Sequence, residues 1–485
     1  MQTVENQKIL IELTEHEIPI ISRGKIITDY TESFGGRHGA SFNTPDPMKY
    51  LSHIPLTNPE KLKDLYDLCI DEILGFLHDL GERLVLCENE YLRDAYNLAM
   101  EASGLTHKVL LTTYTVLPLL FNKETVREML EQRIGIKYLE NWVPTMMMKG
   151  QTVSIRAIGA RTAHIIAGNV PLVAAGTIIR GCSTRCDTII KLPSNDPLTA
   201  SALVRTMIEM EPNHPITKHV CVVYWKGGDT KFESNFYKPV NIEKIIAWGG
   251  FASIKHIAQY LQPGIDLITL DPKLSISIIG SEAFLDEESM RIVAQRAAID
   301  VGAFNQEACV NSRVIFVHSG TDNVGLNKIN ELGAYLYYAL THLPEHISTP
   351  AKEFNIDLKA QIDGLRLDDN FYRIYGGEEN EGAVIVSQID EPVDFSDQLC
   401  GRVVNLVPIN DLSTAIQSMN AYTQTVGIYP ERLKRVIRDD LVMHGVQRIV
   451  SLGHAPDGSF STPQDAIEPL RRMVKWVMDE QSVFC

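Results

Sequence analysis

The chain has 485 residues, which is enough for about three domains of ordinary size. Its composition, 45% hydrophobic and 22% charged, is that of a globular protein with a large core. With 61 acidic and 45 basic side chains the net charge is −16, which argues against a general affinity for nucleic acid or for an anionic membrane surface.

The eight cysteines are scattered and form no CxxC pair. Cys182 and Cys186 lack the second pair that a zinc site needs, so we expect no metal centre and reduced cysteines in a cytoplasmic protein. Neither a signal peptide nor a membrane span is predicted. The N-terminus has no basic stretch before an apolar core, and the most apolar segment, Ala163–Ile179, is too short and too polar to cross a bilayer.

Residues 1–148 are predicted to be mainly helical after a small β start. Ile9–Ile27 is rich in Ile and Leu with interspersed charges, typical of two or three short strands, and its glycines and prolines make Ser33–Pro47 a loop. Asn58 is followed by a proline, which is typical of a helix start, and apolar residues then recur on one helical face up to Leu80. Two further helices are predicted over Glu90–Ser103 and Lys123–Gln132.

From residue 149 to residue 273, short apolar strands alternate with helices, which indicates a parallel, doubly wound sheet. Such sheets bind nucleotides beyond the carboxyl ends of their strands. The predicted strands are Val153–Ile158, Thr162–Ala167, Thr188–Lys191, His219–Trp225, Glu243–Trp248 and Asp266–Leu270, and the helices are Val170–Ile179, Pro197–Glu209 and Ala252–Tyr260.

A second α/β unit is predicted over residues 274–450, and a C-terminal segment, 451–485, follows it. The polar stretch Ala351–Glu391 has no clear pattern. The predicted strands of the second unit are Ser275–Ile279, Val314–Val317, Arg402–Pro408 and Gln447–Ser451, and its helices are Glu287–Val301, Val324–Leu340, Asp411–Ser418 and Glu431–Met443.

Three short segments at predicted strand ends are candidates for ligand contact, and each has a simpler explanation. Asn169 follows a strand and can donate a hydrogen bond into a site, or cap the next helix. Lys191 closes a buried strand, where it is placed for a ribose or phosphate oxygen or lies at a solvated strand end. The Gly249–Gly250 pair joins a strand to a helix whose first amides suit a pyrophosphate, although such a pair is often only a turn.

Cys309 lies between the predicted helix Glu287–Val301 and the predicted strand Val314–Val317, on a loop that presents its side chain to a substrate. A thiol is the strongest nucleophile that a protein has at neutral pH once its thiolate is populated. A buried, inert cysteine is the commoner alternative. The three strand-end segments lie about one domain length before Cys309 in the sequence. This order favours a catalytic role for Cys309.

The order of these features resembles the aldehyde dehydrogenase superfamily: an asparagine after the first core strand, a lysine-ended strand, a glycine pair at the third crossover and a cysteine loop before a strand. The chain is more closely similar to the LuxC family of acyl-CoA reductases, the fatty-acid reductase component of bacterial bioluminescence. This resemblance implies an aldehyde dehydrogenase-like α/β fold, with a Rossmann-type cofactor domain and a second α/β catalytic domain. It covers about residues 149–477 and is based on segments 164–172, 212–217, 222–225, 247–250, 306–309 and 469–472.

The resemblance implies a role for each candidate residue. Cys309 would be the nucleophile that takes an acyl group as a thioester, and Asn169 with the backbone N–H of Cys309 would form the oxyanion hole. Lys191, with Ser194 beside it, would touch the adenosine ribose or its 2′-phosphate. The Gly249–Gly250 pair would lie against the cofactor diphosphate, and residues 1–148 would pack on the cofactor domain.

The chain departs from the superfamily pattern in three places. Hydrolytic members have a glutamate that activates water, but residues 269–275 contain none, and Asp271 is a displaced substitute. The second glutamate of the superfamily, which binds the nicotinamide ribose, is replaced by Gln398, which would make a weaker, neutral contact. The spacing between Gln306 and Cys309 also differs slightly from that of the wider superfamily.

The resemblance therefore predicts an NADPH-dependent acyl-CoA reductase that forms a fatty, above all long-chain, aldehyde through a thioester on Cys309. NADPH is favoured over NADH because NAD-selective members tend to have a glutamate where this chain has Ser194, although Asp196 lies close in sequence.

LuxC-family reductases work with an acyl-protein synthetase and an acyl transferase, so the acyl donor is either acyl-CoA or an acyl-protein; we also expect a homo-oligomer. The alternatives are a hydrolytic aldehyde dehydrogenase and a non-catalytic acyl-carrying or scaffold protein. Cofactor binding without hydride consumption would favour the last of these.

Overall fold

The computed structural model describes residues 16–35, 40–148, 150–271, 273–458 and 461–480. Within these ranges the strands form two seven-stranded, mainly parallel sheets and two three-stranded sheets. Each seven-stranded sheet buries apolar side chains on both of its faces, as alternate residues of its strands belong to separate core clusters.

The N-terminal region is mainly helical, and its helices share one apolar core with the first large sheet. The predicted strands before residue 16 lie outside the described residues. The elements are β1 His16–Glu17, β2 Ile20–Ser22, β3 Lys25–Ile27, β4 Glu32–Gly35, β5 Ser41–Thr44, α1 Lys63–Tyr66, α2 Ile70–Arg83, α3 Glu90–Ala102, α4 His107–Val116, α5 Lys123–Arg133 and α6 Ile136–Glu140.

Two predictions for this region are wrong. The segment predicted as a loop contains β4 and β5, which pair antiparallel. Phe42 of β5 is buried against Tyr224, a distant contact that local composition does not reveal. The single helix predicted after Asn58 is interrupted. Asn58 caps a 3-10 turn, Pro59–Leu62, which leads into the short helix α1. The chain then starts a new helix, α2, where Glu72 accepts a hydrogen bond from the backbone N–H of Cys69, the residue before the helix.

The first large sheet has the strand order β12-β11-β8-β9-β10-β2-β3, with β8 to β12 parallel. Val153–Ile158, which was expected among these parallel strands, belongs instead to β7 of a separate antiparallel sheet, β20-β7-β6. The elements are β6 Val143–Met146, β7 Thr152–Ile158, β8 Arg161–Ile165, α7 Leu172–Ser183, β9 Asp187–Lys191, α8 Thr199–Met210, α9 Pro215–Lys218, β10 Val220–Val223, α10 Thr230–Phe236, β11 Lys244–Trp248, α11 Phe251–Ala258 and β12 Asp266–Leu270.

The second large sheet has the order β15-β16-β17-β14-β13-β18-β19, and only β15 runs antiparallel within it among the described strands. The segment without a clear sequence pattern supplies α14, β15 and β16. The elements are β13 Leu274–Ile279, α12 Glu287–Gly302, β14 Ser312–Val317, α13 Asn323–Thr341, α14 Ile356–Leu365, β15 Tyr372–Gly376, β16 Ala383–Ser387, β17 Val403–Pro408, α15 Leu412–Gln417, β18 Thr423–Tyr429, α16 Glu431–Met443, β19 Arg448–Ser451, α17 Pro469–Met473 and β20 Lys475–Glu480.

Candidate active site

The strands that lead to the three predicted ligand segments end side by side. Ile165 at the end of β8 is paired with Lys191 on one side and with Ala247 on the other. The loops that follow therefore leave the same edge of the sheet, and these loops include Asn169 and the glycine pair after β11. This is the edge at which a parallel sheet binds a nucleotide.

The loop after β8 brings Asn169 to the segment that includes the cysteine. A Cβ on Gly168 would lie 2.4 Å from Asn195 Oδ1, so a glycine allows this loop to pack against the loop after β9. Asn169 Nδ2 donates a 3.0 Å hydrogen bond to the backbone oxygen of Glu307. Pro171 precedes α7 and no side chain caps this helix, so the alternative explanation of Asn169 as its cap is wrong.

The turn before the cysteine has an unusual backbone. Phe304, Asn305 and Gln306 have φ angles of 52°, 53° and 65°, a left-handed conformation that is uncommon for residues other than glycine. The buried Gln306 side chain donates to the backbone oxygens of Ser312 (3.1 Å) and Val403 (2.8 Å) and accepts from the Val403 N–H (2.9 Å). These hydrogen bonds link the turn to β14 and β17, so the sheet holds the strained segment in place.

Hydrogen bonds also fix the backbone around Cys309. Ser275 Oγ on β13 donates to the Cys309 backbone oxygen at 2.7 Å and accepts from the Thr425 N–H at 3.1 Å. Asn311 Oδ1 accepts from the Ala308 N–H at 3.1 Å. The nucleophile candidate is therefore held on a short loop whose two sides are tied to neighbouring strands.

The Cys309 side chain is exposed to solvent in a cavity of about 310 Å³. One part of the cavity wall is apolar and comes from α7 and neighbouring loops; another part is polar and comes from β18, β19 and the C-terminal segment. The lining residues are Leu120, Leu172, Val173, Gly176, Arg180, Trp248, Cys309, Val310, Gln424, Gln447, Arg448, Gly458, Thr462, Pro463, Gln464 and Asp465.

The surroundings of Cys309 raise the pKa of its thiol. Desolvation by the surrounding protein is the largest cause and the negative charge of Asp465 adds to it, whereas a hydrogen bond from Gln424, its own backbone N–H and the charge of Arg448 oppose the rise. The thiol is therefore mainly protonated at neutral pH and must lose its proton before or during attack.

The predicted adenosine end lies after β9. Lys191 is half-buried, and desolvation lowers the pKa of its ammonium to about 8, with the ammonium 5.5 Å from the centre of the Tyr224 ring. Ser194 is half-buried. Asp196 is buried and its carboxylate accepts hydrogen bonds from the N–H and hydroxyl of Thr199, so it is occupied within the protein. The carboxylate two residues after Ser194 is thus engaged by Thr199 inside the protein.

The glycine pair precedes α11, which begins at Phe251 without a side-chain cap. A Cβ on Gly250 would meet no atom within 4 Å, so its backbone faces open space. A Cβ on Gly249 would lie 3.1 Å from the Ser253 side chain, so this glycine packs against the first turn of the helix. Open backbone amides at a helix start suit a diphosphate.

A second cavity, of about 520 Å³, is lined mainly by β13, β14 and neighbouring loops of the second large sheet, and Phe251 of α11 also contributes to its wall. It reaches from Phe251, next to Gly250, to Asp397, next to Gln398, while Gln398 itself is exposed in the turn Ser396–Gln398. The structure thus brings the neighbours of Gly250 and Gln398 to one cleft, but these two residues do not line it. Arg313 of β14 lines the cavity and donates to the backbone oxygens of Asp397 (3.1 Å) and Leu399.

A family model described as acyl-CoA reductase (LuxC) matches residues 65–476. The chain belongs to the LuxC family. One relative, the long-chain acyl-protein thioester reductase of Vibrio harveyi, is 27% identical over 472 residues, covering 96% of this chain and 94% of that protein. The protein of the same name from Aliivibrio fischeri is 28% identical, and the match covers 87% of this chain and 84% of that protein.

Solved structures show that this LuxC-family chain has an aldehyde dehydrogenase-like fold, as the sequence predicts. Lactaldehyde dehydrogenase from Escherichia coli matches with a TM-score of 0.71 at 13% identity, over 96% of this chain and 99% of that one. The NADP-dependent glyceraldehyde-3-phosphate dehydrogenase from Bacillus halodurans C-125, complexed with NADP, matches with a TM-score of 0.70 at 14% identity. The match covers 97% of this chain and 100% of that one. At this identity the similarity shows the fold alone. Among the described helices, none is both long and apolar enough to span a bilayer.

The LuxC-family site includes side chains that sequence reasoning missed. Ser275, Arg313, Gln424 and Asp465 are ordinary polar residues without a motif, and they reach the site only because separate strands and the C-terminal segment meet there. Asp271, the displaced substitute for the water-activating glutamate, lies 3.7 Å from the ammonium of Lys273 in an ion pair. The signal that could have indicated Gln424 was its place as a polar residue inside β18, a strand of which every residue but the last is buried.

The resemblance to the superfamily implies that the Asn169 amide donates to the developing oxyanion. On that hypothesis Asn169→Ala should slow acylation of Cys309 by about 10²-fold or more. Single-turnover kinetics with an acyl thioester measure this rate, and thermal melting measures the stability. Asn355→Ala is the matched control: Asn355 caps α14, none of whose residues lines the Cys309 cavity, and its loss should cost about 1 kcal/mol of stability without slowing acylation. If Asn169→Ala acylates at the wild-type rate, Asn169 is not an oxyanion donor.

Proposed function

We propose that this LuxC-family chain reduces fatty acyl thioesters to fatty aldehydes with NADPH, through an acyl group held on Cys309. The observation that carries the proposal is the hydrogen bond from Asn169 to the Cys309 loop, because it joins the nucleotide-binding edge of one sheet to an accessible thiol on the other. The partly apolar cavity at Cys309 supports an acyl chain as the bound group. The name of the relatives, long-chain acyl-protein thioester reductase, supports a thioester as the substrate.

In the first step the sulfur of Cys309 attacks the thioester carbonyl and the thiol of the acyl donor leaves. The carbonyl oxygen becomes negatively charged, and the Asn169 amide and the Cys309 backbone N–H are the proposed donors to it. One hydrogen of the Asn169 amide is used on Glu307, and the second remains for the oxyanion. Such donors contribute about 3–4 kcal/mol each to lowering the barrier.

The residues present fit a bound NADPH. Gly250 leaves open backbone before α11, Lys191 is placed at the same sheet edge, and Ser194 has no charge that would repel a 2′-phosphate. When bound, NADPH supplies a hydride for the acyl carbon. The same oxyanion donors then act again, and Cys309 leaves as a thiolate, which releases the aldehyde.

The two acyl donors considered are acyl-CoA and an acyl-protein, and the names of the relatives favour the acyl-protein for this chain. An acyl-protein synthetase and an acyl transferase are the corresponding partners.

We also propose that residues 149–273 hold the cofactor, that residues 274–450 supply the nucleophile, and that the protein is cytoplasmic and homo-oligomeric.

The acyl group on Cys309 should persist without NADPH and leave as aldehyde once NADPH is added. The reason is that Asp271 is paired with Lys273 and no glutamate occupies residues 269–275, whereas a general base contributes about 10²–10⁴-fold to hydrolysis. Intact-protein mass spectrometry after mixing with acyl-CoA or acyl-protein alone measures the adduct. A stable adduct on Cys309, absent in Cys309→Ala and lost with NADPH, is expected.

Two results of that experiment would contradict the proposal. One is rapid release of free fatty acid without cofactor, which would indicate a hydrolytic enzyme. The other is an adduct on Cys182, Cys186 or Cys400. The first two of these thiols are buried and the third is half-buried, whereas Cys309 is exposed in its cavity, so Cys309 should react first.

The enzyme should have a higher kcat/KM for NADPH than for NADH. Ser194→Glu should lower kcat/KM for NADPH by at least about 10-fold, because a carboxylate there would repel the 2′-phosphate, while the value for NADH changes little. Ser194→Gln is the matched control, since it adds the same bulk without the charge. Steady-state kinetics with both cofactors test this, and a wild-type preference for NADH would overturn the prediction.

A further inference from the structure

Cys309 shares its cavity with a pair of polar side chains to which no role has yet been assigned. Gln424 comes from β18 and Asp465 from the C-terminal segment, and both line the cavity together with Cys309. Gln424 Nε2 donates a 2.6 Å hydrogen bond to Asp465 Oδ1. A carboxylate that Gln424 holds in place therefore shares the cavity with the Cys309 thiol.

The C-terminal segment holds Asp465 in this place with a strained backbone. Asp465 and Ala466 have φ angles of 52° and 58°, which lie in the left-handed region that residues other than glycine rarely adopt. Gln464 accepts a 2.9 Å hydrogen bond from Arg180 of α7, and Arg448 of β19 donates a 2.6 Å hydrogen bond to a backbone oxygen earlier in the segment. Such strain, maintained by contacts on both sides, is typical of functional sites.

We propose that Asp465 is the acid–base partner of Cys309: it accepts the thiol proton as Cys309 attacks and returns that proton to the sulfur of the departing acyl donor. This inference rests on the proposed function. A bond forms between Cys309 Sγ and the acyl carbon, and the bond between that carbon and the donor sulfur breaks. The proton ends on the donor sulfur, Asp465 is ionised again, and no oxidant or reductant takes part.

The charges that face the Cys309 thiol agree with a need for a base. Desolvation and the charge of Asp465 raise the pKa of the thiol, while Gln424 and Arg448 act in the opposite direction. The charge of Cys309 also acts on Arg313, which lies on the strand that follows. A thiol with a raised pKa is a strong nucleophile once deprotonated, but it requires a proton acceptor beside it.

The charges that face Asp465 leave it a competent base. Desolvation is the largest cause that raises the pKa of its carboxyl, and the charge of Asp271 adds to the rise, whereas Gln424, Lys273 and Arg180 oppose it. A carboxylate whose pKa is raised accepts a proton more readily than an ordinary one. The proposal places the acyl chain in the cavity that Asp465 and Cys309 share, where it would exclude water from beside the carboxylate. Without that water Asp465 would not hydrolyse the thioester, so the acyl group should still persist until NADPH is added.

The test compares two reactions of one variant, Asp465→Asn. Alkylation of Cys309 by iodoacetamide needs only the thiolate, so loss of the negative charge should move its pH profile to lower pH and increase the rate at pH 7. Acyl transfer from acyl-CoA or acyl-protein needs the proton acceptor, so it should slow by about 10²-fold. Asp465→Glu, which keeps the carboxylate, should restore much of the acyl transfer.

The opposite changes in the two rates separate this role from a structural one. If Asp465→Asn lowers both rates together with the melting temperature, or changes neither, the inference is overturned. Asp457→Asn is the matched control, because Asp457 is an exposed carboxylate of the same segment that bonds to His454. If the wild-type protein takes no acyl group from either donor, the proposed function fails, and an unshifted alkylation profile overturns the role of Asp465 independently.

Discussion

The position of the nucleophile depends on three consecutive left-handed residues, Phe304, Asn305 and Gln306. This conformation costs about 1–2 kcal/mol per residue. Gln306 and Asn305 offset the cost with buried hydrogen bonds to β14, β17 and the segment around Thr349, each worth about 0.5–1.5 kcal/mol net. Because the bonds and the strain are of similar size, the turn persists only while the neighbouring strands are in place, and the thiol is positioned by tertiary structure.

A second constraint is the hydrogen bond between Asn169 and the backbone of Glu307. It connects the loop after β8 to the loop of Cys309, so the sheet edge proposed to bind the nucleotide and the thiol keep a fixed distance and orientation. A reaction in which hydride must reach a carbon bound to sulfur requires such a relation, since reacting atoms have to approach within about 3–3.5 Å. The same asparagine can therefore serve both the geometry of the site and the charge on the carbonyl oxygen.

Much of the fold could be predicted because long periodic helices and all-apolar parallel strands have strong local signals. α12, α13 and α16 begin within one residue of their predicted starts, and β11 and β12 are close to their predictions. The β4–β5 hairpin and β18 were missed because their stability comes from distant contacts: Phe42 packs on Tyr224, and the polar residues that open β18 are buried between β13 and β19. β7 was predicted as a strand but placed in the wrong sheet, since pairing partners far along the chain have no local signature.

The candidate site also contains both kinds of residue: those that a local sequence pattern indicates and those that only tertiary contacts bring to the site. Cys309, Asn169, Lys191 and the glycine pair follow strand or helix ends, which a sequence pattern can indicate. Gln424 and Asp465 could not be predicted, because their relation to Cys309 arises from a C-terminal segment that folds back over the cavity. Gln398 does not line the cleft, although its neighbour Asp397 does, so the expected contact between Gln398 and a cofactor stays a prediction.

The central claim is that an acyl group on Cys309 receives a hydride from NADPH and leaves as an aldehyde. Its most direct test is to load the protein with an acyl group, remove the free donor, and add NADPH that has deuterium at the transferred position of the nicotinamide. Mass spectrometry should then find aldehyde with one deuterium on its carbonyl carbon and one NADP⁺ formed per aldehyde. Unlabelled aldehyde, or free fatty acid with no NADPH consumed, would contradict the account.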